Sequence, residues 1–385
     1  NFATVNAQGT FNGLLTNNAG GTFNVTGNLT GNSGFTNNSG GILNVNTGTY
    51  TAGLVVTNSG QITIKSGTTL IAPGVNNLVG GIVNVLAGGT LRDDLNNAGI
   101  VNNSGSTTAV VATNSGTITN SNVWIGNVLA NTGTINNTGT WTGAATNSGT
   151  LNTSNTWTGN ITNNASGVVN GSGTITGNLS NAGTFNVANT LTASGSVANL
   201  AGGNFNVNTG TFTAGLLVTN SGVIKVASGA TLVATAGGLT NNAGGSVNVL
   251  AGGTLKDDLN NAGTVTNAGT TTAVVATNSG TIANNGLWNG NVLSNTGTIN
   301  NNNGATWTPP TPILDKPFNA GWGNDTGQPN LGDYNQNIAM GGVHMALIGA
   351  TNLPLFDEGQ PTLPQLIPPD TYYEMSQARV NGHNE

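Results

Sequence analysis

The chain has 385 residues, of which only 5% are charged, and it contains no cysteine. A net charge of −6 leaves no basic surface for phosphates and argues against a nucleic-acid partner, while the lack of cysteine excludes disulfides and thiolate metal sites. High Gly and Asn with so little charge is also a composition of disorder, but here Val, Ile and Thr recur at fixed positions, which disorder does not require.

From the N-terminus to about Trp307 the chain is a series of variations on one unit. The unit is clearest in Thr113–Trp141, TNSGTITNSNVWIGNVLANTGTINNTGTW. It opens with Asn-x-Gly, where Gly tolerates positive φ and the Asn side chain closes a local turn. A Thr and one apolar residue follow, with neighbours that point the other way, as on a strand. One unit buries almost nothing alone, so the units must stack. No 3.6-residue apolar stripe is present, and Gly and Asn are poor helix formers.

The apolar markers run Phe23, Leu43, Ile62, Val83, Val101, Ile118, Ile135, Leu151, Val168, Phe185, Phe205, Ile224, Val247, Val265, Ile282 and Ile299, at gaps that each suit one solenoid coil. This spacing predicts an all-β fold, a right-handed parallel β-helix of about sixteen coils, on the order of 75 Å long. A larger duplication lies on top. Asn44–Gly60 returns as Asn206–Gly222, Val83–Gly99 as Val247–Gly263, and Thr107–Ile118 is identical to Thr271–Ile282. The offset between the copies is constant before Pro73 and slips by two positions after it, a change that an outward loop would absorb. The domains expected are copy one at 1–162, copy two at 163–307, and a non-solenoid tail at 308–385.

The Asn-x-Gly-Thr-apolar units, the low charge and the absence of cysteine resemble the β-helix passengers of bacterial autotransporters, and are similar to filamentous-haemagglutinin-type adhesins. The resemblance covers residues 1–307. It implies an extracellular or cell-surface bacterial rod used for adhesion, aggregation or display, with no catalytic motif and no cofactor. The C-terminal stretch departs from the autotransporter pattern, lacking the alternation of outer-membrane barrel strands and so leaving the secretion route open. The first residue is not Met, which reads as a processed form or fragment, and no apolar run is long enough to span a bilayer.

The tail holds both His, all three Met, and every proline except Pro73. Pro309-Pro310 ends ladder pairing. Ile338–Ala350 reads as a short helix or strand, and Pro361–Asp370 as extended chain. The tail is expected to cap the last coil, begin another domain, or join subunits into a filament. The candidates for self-association are Pro309, Pro310, Ile338, Met340, Met345, Leu347 and Ile348.

Three constellations carry chemistry to weigh. Arg92-Asp93-Asp94 and Lys256-Asp257-Asp258 read as solvated turns, with a Ca²⁺ contact or paired acid–base catalysis as alternatives. Adjacent Asp residues on a strand point to opposite faces, and no His lies in the coils to complete a polysaccharide-cleaving site. Trp124, Trp141 and Trp157 are one coil apart, as are Trp288 and Trp307. They form either a packed stack or an exposed ladder for sugar rings. Outward Thr rows raise ice binding as a further reading, and the Asn positions suit stacked amide ladders at turns. The expected partners are other copies of the chain, surface glycans or other cells; the alternative function is a polysaccharide-acting or polysaccharide-binding protein.

Overall fold

The computed structural model describes residues 1–308, together with the backbone of three tail strands, Gln336–Met340, Val343–Gly349 and Thr371–Tyr373. The coils form a parallel β-solenoid of about 17 turns. Among the described residues there is no helix. Pro309 and Pro310 lie outside the described residues, as do the side chains of Ile338, Met340, Met345, Leu347 and Ile348. Gln336–Met340 overlaps the start of the stretch read as a helix or strand, Ile338–Ala350, and Val343–Gly349 lies within it; the two pair antiparallel.

One coil shows how the sequence makes the fold. Thr117–Asn120, Val123–Ile125 and Val128–Asn131 are its three strands, with corners at Ser121-Asn122, Gly126-Asn127 and Thr132-Gly133. Each strand pairs in parallel with its counterpart one coil before and one coil after, so three sheets run the length of the stack. Ile118, Trp124 and Val128 point inward and are wholly buried or nearly so, while Thr117, Thr119 and Val123 keep partial exposure. The period-2 alternation of a half-buried strand sorts them, and Val, Ile and Thr suit the pleat.

The predicted markers form one inward column, Phe23 pairing with Leu43, Leu43 with Ile62, and so on to Ile299. Two details differ. Leu151 pairs with Val169, not Val168, because Gly167-Val168-Val169 repeats the Gly-Thr-apolar order of Gly149-Thr150-Leu151. Val5 pairs with Phe23 and adds a first coil, one that no Asn-x-Gly precedes. The two sequence copies make a single uninterrupted stack. The slip between them falls at a corner: copy one turns through Pro73-Gly74, and copy two through the longer stretch between Ala234 and Leu239.

A second inward column holds the polar groups. Asn1, Asn17, Asn37, Asn58, Asn77, Asn97 and Asn114 lead to Asn131 and then, through eight more asparagines, to Asn295. Each donates its side-chain amide to the oxygen of the next at 2.7–2.9 Å. Asn131 is typical: its Nδ2 donates to Asn147 Oδ1 at 2.7 Å, to the Gly133 carbonyl at 3.3 Å and to the Thr150 carbonyl at 3.2 Å. The same amide thus closes the corner and joins two coils. Shorter inner ladders run through Asn103, Asn120 and Asn137, and through Asn267, Asn284 and Asn301. Stacked amide ladders were expected from the sequence, and they are present.

Substitutions along these columns test the register. Asn131→Ala should cost about 1–3 kcal/mol for each buried group it leaves unpaired. Asn136→Ala, in an outward ladder, should cost under about 1 kcal/mol. Ile135→Asp should cost several kcal/mol, and Thr134→Asp, one residue away on the outer face, little. Urea midpoints that rank inner and outer variants equally would refute the assignment.

Candidate functional site

The second sheet carries the residues singled out for chemistry. Its inward column runs Leu70, Leu91, Thr107, Trp124, Trp141 and Trp157 in copy one, and Leu232, Leu255, Thr271, Trp288 and Trp307 in copy two. The indoles stack nearly parallel, with centroids 4.6 Å apart for Trp124–Trp141, 4.9 Å for Trp141–Trp157 and 4.6 Å for Trp288–Trp307. Such pairs contribute roughly 0.5–1.5 kcal/mol each beyond burial.

Four of the five, Trp124, Trp141, Trp157 and Trp288, are 0% exposed, and Trp307 is partly buried against the core. A buried indole offers no face to a sugar ring. This corrects the glycan-contact reading for those four and leaves the packed stack. The ring nitrogens of Trp124, Trp141, Trp288 and Trp307 donate to carbonyls of the preceding coil, at 3.1, 3.0, 3.3 and 2.9 Å. The Trp157 nitrogen has no hydrogen-bond partner among the described residues.

The stack depends on the glycine two residues beyond Trp124, Trp141, Trp157 and Trp288. Gly143 has φ +150°, and a Cβ there would lie 2.2 Å from the Gly126 carbonyl oxygen. Only Gly lets the chain turn the corner beneath the coil above.

The acidic pairs lie where strands run, not in solvated turns. Thr90–Asn97 and Thr254–Asn261 are continuous strands that contain them. Leu91 and Leu95 face inward, so the residue between them on the same face, Asp93, faces inward too. Asp93 is 8% exposed and Asp257 3%, and neither carboxylate has a hydrogen-bond partner among the described residues. Asp94 and Asp258 point out to solvent. Burial, reinforced by the Asp94 charge, pushes the Asp93 carboxyl from its usual 3.8 up to about 8; burial and Asp258 do the same to Asp257. The turn is corrected for all four residues, which lie on strands; solvation holds for Asp94 and Asp258 and is corrected for Asp93 and Asp257. The alternation Leu-Arg-Asp-Asp-Leu already carried the signal.

Two carboxyls on opposite sides of a sheet cannot share a substrate or a cation. Among the described residues no group of three or more His, Cys, Asp or Glu could hold a metal ion. A small cleft near the first coils is lined by Phe11, Leu15, Phe23, Leu29 and Tyr50, and burial pushes the Tyr50 hydroxyl up to about 12.

Compared with known proteins, the chain matches no protein-family model, and no curated protein matches it in sequence.

Trp141→Ala removes a ring stacked on both sides and should destabilise the rod by about 3–5 kcal/mol. Gly143→Ala should destabilise it comparably through backbone strain and overlap. Ile125→Ala, beside the stack but 47% exposed, should change little. Equal thermal midpoints for the three variants would contradict the packing.

Proposed function

We propose that this chain is a non-catalytic structural rod of the bacterial surface or extracellular space, used in adhesion or display. The observation that carries the reading is the uninterrupted stack of about 17 turns, locked by one amide ladder from Asn1 to Asn295. A stack of that kind is roughly 80 Å of stiff, narrow support. The likeness in unit pattern to autotransporter passengers and filamentous-haemagglutinin-type adhesins supports the placement outside the cell.

The outer surface suits contact with neutral partners. Thr and Asn repeat in register along the sheets, as in Thr140, Thr156 and Thr174, or Asn136, Asn152 and Asn170. Residues 1–307 contain only four basic and four acidic side chains, so little charge opposes close approach between rods or to a glycan surface. The partners proposed are other copies of the chain, joined through the tail, and surface glycans or other cells. A polysaccharide-cleaving role finds no support in the acidic pairs, since Asp93 and Asp257 face the buried core.

The test uses the full chain and a form lacking residues 308–385. Electron microscopy of the full chain should show thin rods that join end to end at high concentration. Beads coated with it should aggregate or bind cells. Deleting the tail should leave rods of the same width that no longer join. A full chain that stays monomeric at high concentration, or tail-less rods that still polymerise, would overturn self-association. Beads that bind neither cells nor glycans would overturn adhesion, and release of reducing sugars from a polysaccharide would overturn the non-catalytic role.

A further inference from the structure

We infer that the rod contains two proton-controlled joints, one between the coils of Asp93 and Thr107 and one between the coils of Asp257 and Thr271, each shut while its buried acid is neutral. The inference rests on three placements. First, the carboxyls stand in an inward column of small residues. Asp93 lies against Ala109 on one side and beside Ala72 on the other, and Asp257 pairs with Ala234 and Ala273. Alanine would continue either column with no polar atom to satisfy.

Second, a buried hydroxyl lies diagonally across from each acid. Thr107 and Thr271 are 0% exposed, two residues before Ala109 and Ala273 on the same inward face. The two carboxylate oxygens and the hydroxyl oxygen are all without hydrogen-bond partners among the described residues, in both copies. Three unpaired polar atoms on one buried face are least costly when the acid is neutral, because a protonated carboxyl brings no charge out of water. An ionised carboxylate there has no cation to meet among the described residues. The other charged groups on these strands are Arg92 with Asp94, and Lys256 with Asp258, all pointing outward. The neighbouring strands Thr69–Ile71 and Ser106–Asn114, and in copy two Thr231–Asn241 and Thr270–Asn278, contain no titratable side chain.

Third, each acid marks a change in the cross-section of the core. Across the joint Val85 gives way to Asn103 and Leu91 to Thr107, followed by Trp124. In copy two Val249 gives way to Asn267 and Leu255 to Thr271, followed by Trp288. Aliphatic coils meet Trp coils there, through a polar layer. In a solenoid each coil contacts only its neighbours, so a penalty at one layer opens that layer without unfolding the rod.

The sign follows from the raised carboxyls. The unfolded acid ionises near 3.8, while the folded one keeps its proton to about 8. Between those values the folded state binds more protons, so the joint weakens as pH rises, up to tenfold per pH unit per site, and levels off above. This is opposite to the usual behaviour of a salt-bridged Asp.

Hydrogen exchange of the full chain at pH 5 and pH 8, expressed as protection factors, tests the inference. Amides in Thr90–Asn97, Ser106–Asn114 and their copy-two counterparts should lose at least about 100-fold in protection, with Thr184–Ala193 as the internal reference. Asp93→Asn with Asp257→Asn should abolish that loss, and Asp93→Ala with Asp257→Ala, which extends the alanine column, should do so even if the amides fit poorly. Asp94→Asn should keep most of it. Wild-type joints that track the reference, or neutral variants that still lose protection at pH 8, would overturn the inference.

Discussion

The buried asparagine ladder is the constraint on which the rest of the solenoid depends. An amide in a dry core is expensive unless every donor and acceptor finds a partner. Here that requirement is met only when each coil places its Asn directly over the one before. Asn131 must reach Asn147, its own corner and the following strand at once. A coil displaced by one residue would turn its whole apolar set outward and leave two amides unpaired. Coil length is therefore free to vary at the corners, while the column stays straight.

Much of this was legible in the sequence, because the physics that builds the fold is periodic. The marker column needed only the Asn-x-Gly turn and one apolar residue. It slipped at Val168, where two valines stand side by side, and it missed Val5, whose coil lacks the turn. The stacking of the tryptophans followed from coil spacing, but their direction did not. Thr-Trp-Thr on a strand puts the ring and the hydroxyls on opposite faces, and only the neighbouring inward leucines say which face is the core. Asp93 and Asp257 were obscured by a sound general rule, that carboxylates stay in water. Local alternation outweighed it, because Leu91 and Leu95 fix the strand on both sides.

The two kinds of coil divide the work of stability differently. Aliphatic coils fill their cross-section with Val, Leu and Ile, as at Val83, Val85, Leu91 and Leu95. Trp coils use one large ring, an inner Asn and a tight glycine corner. Both present the same amide to the ladder, so they join without a break. The compromise falls at the layer between them, where Thr107 and Asp93 sit without partners. A rod built from repeats can keep such a layer because coils beyond its immediate neighbours do not rely on it.

The internal duplication has a genetic consequence. Thr107–Ile118 and Thr271–Ile282 are identical in sequence and occupy equivalent places in the stack, one full copy apart. Recombination between them would delete or add a whole number of coils. The new joint would set the coil of Thr90–Asn97 against a strand identical to the one it already pairs with, and the amide ladder would run through it unbroken. Length is then a quantity separable from fold, since a rod shortened or lengthened by one copy keeps the same strand pairing at its new joint.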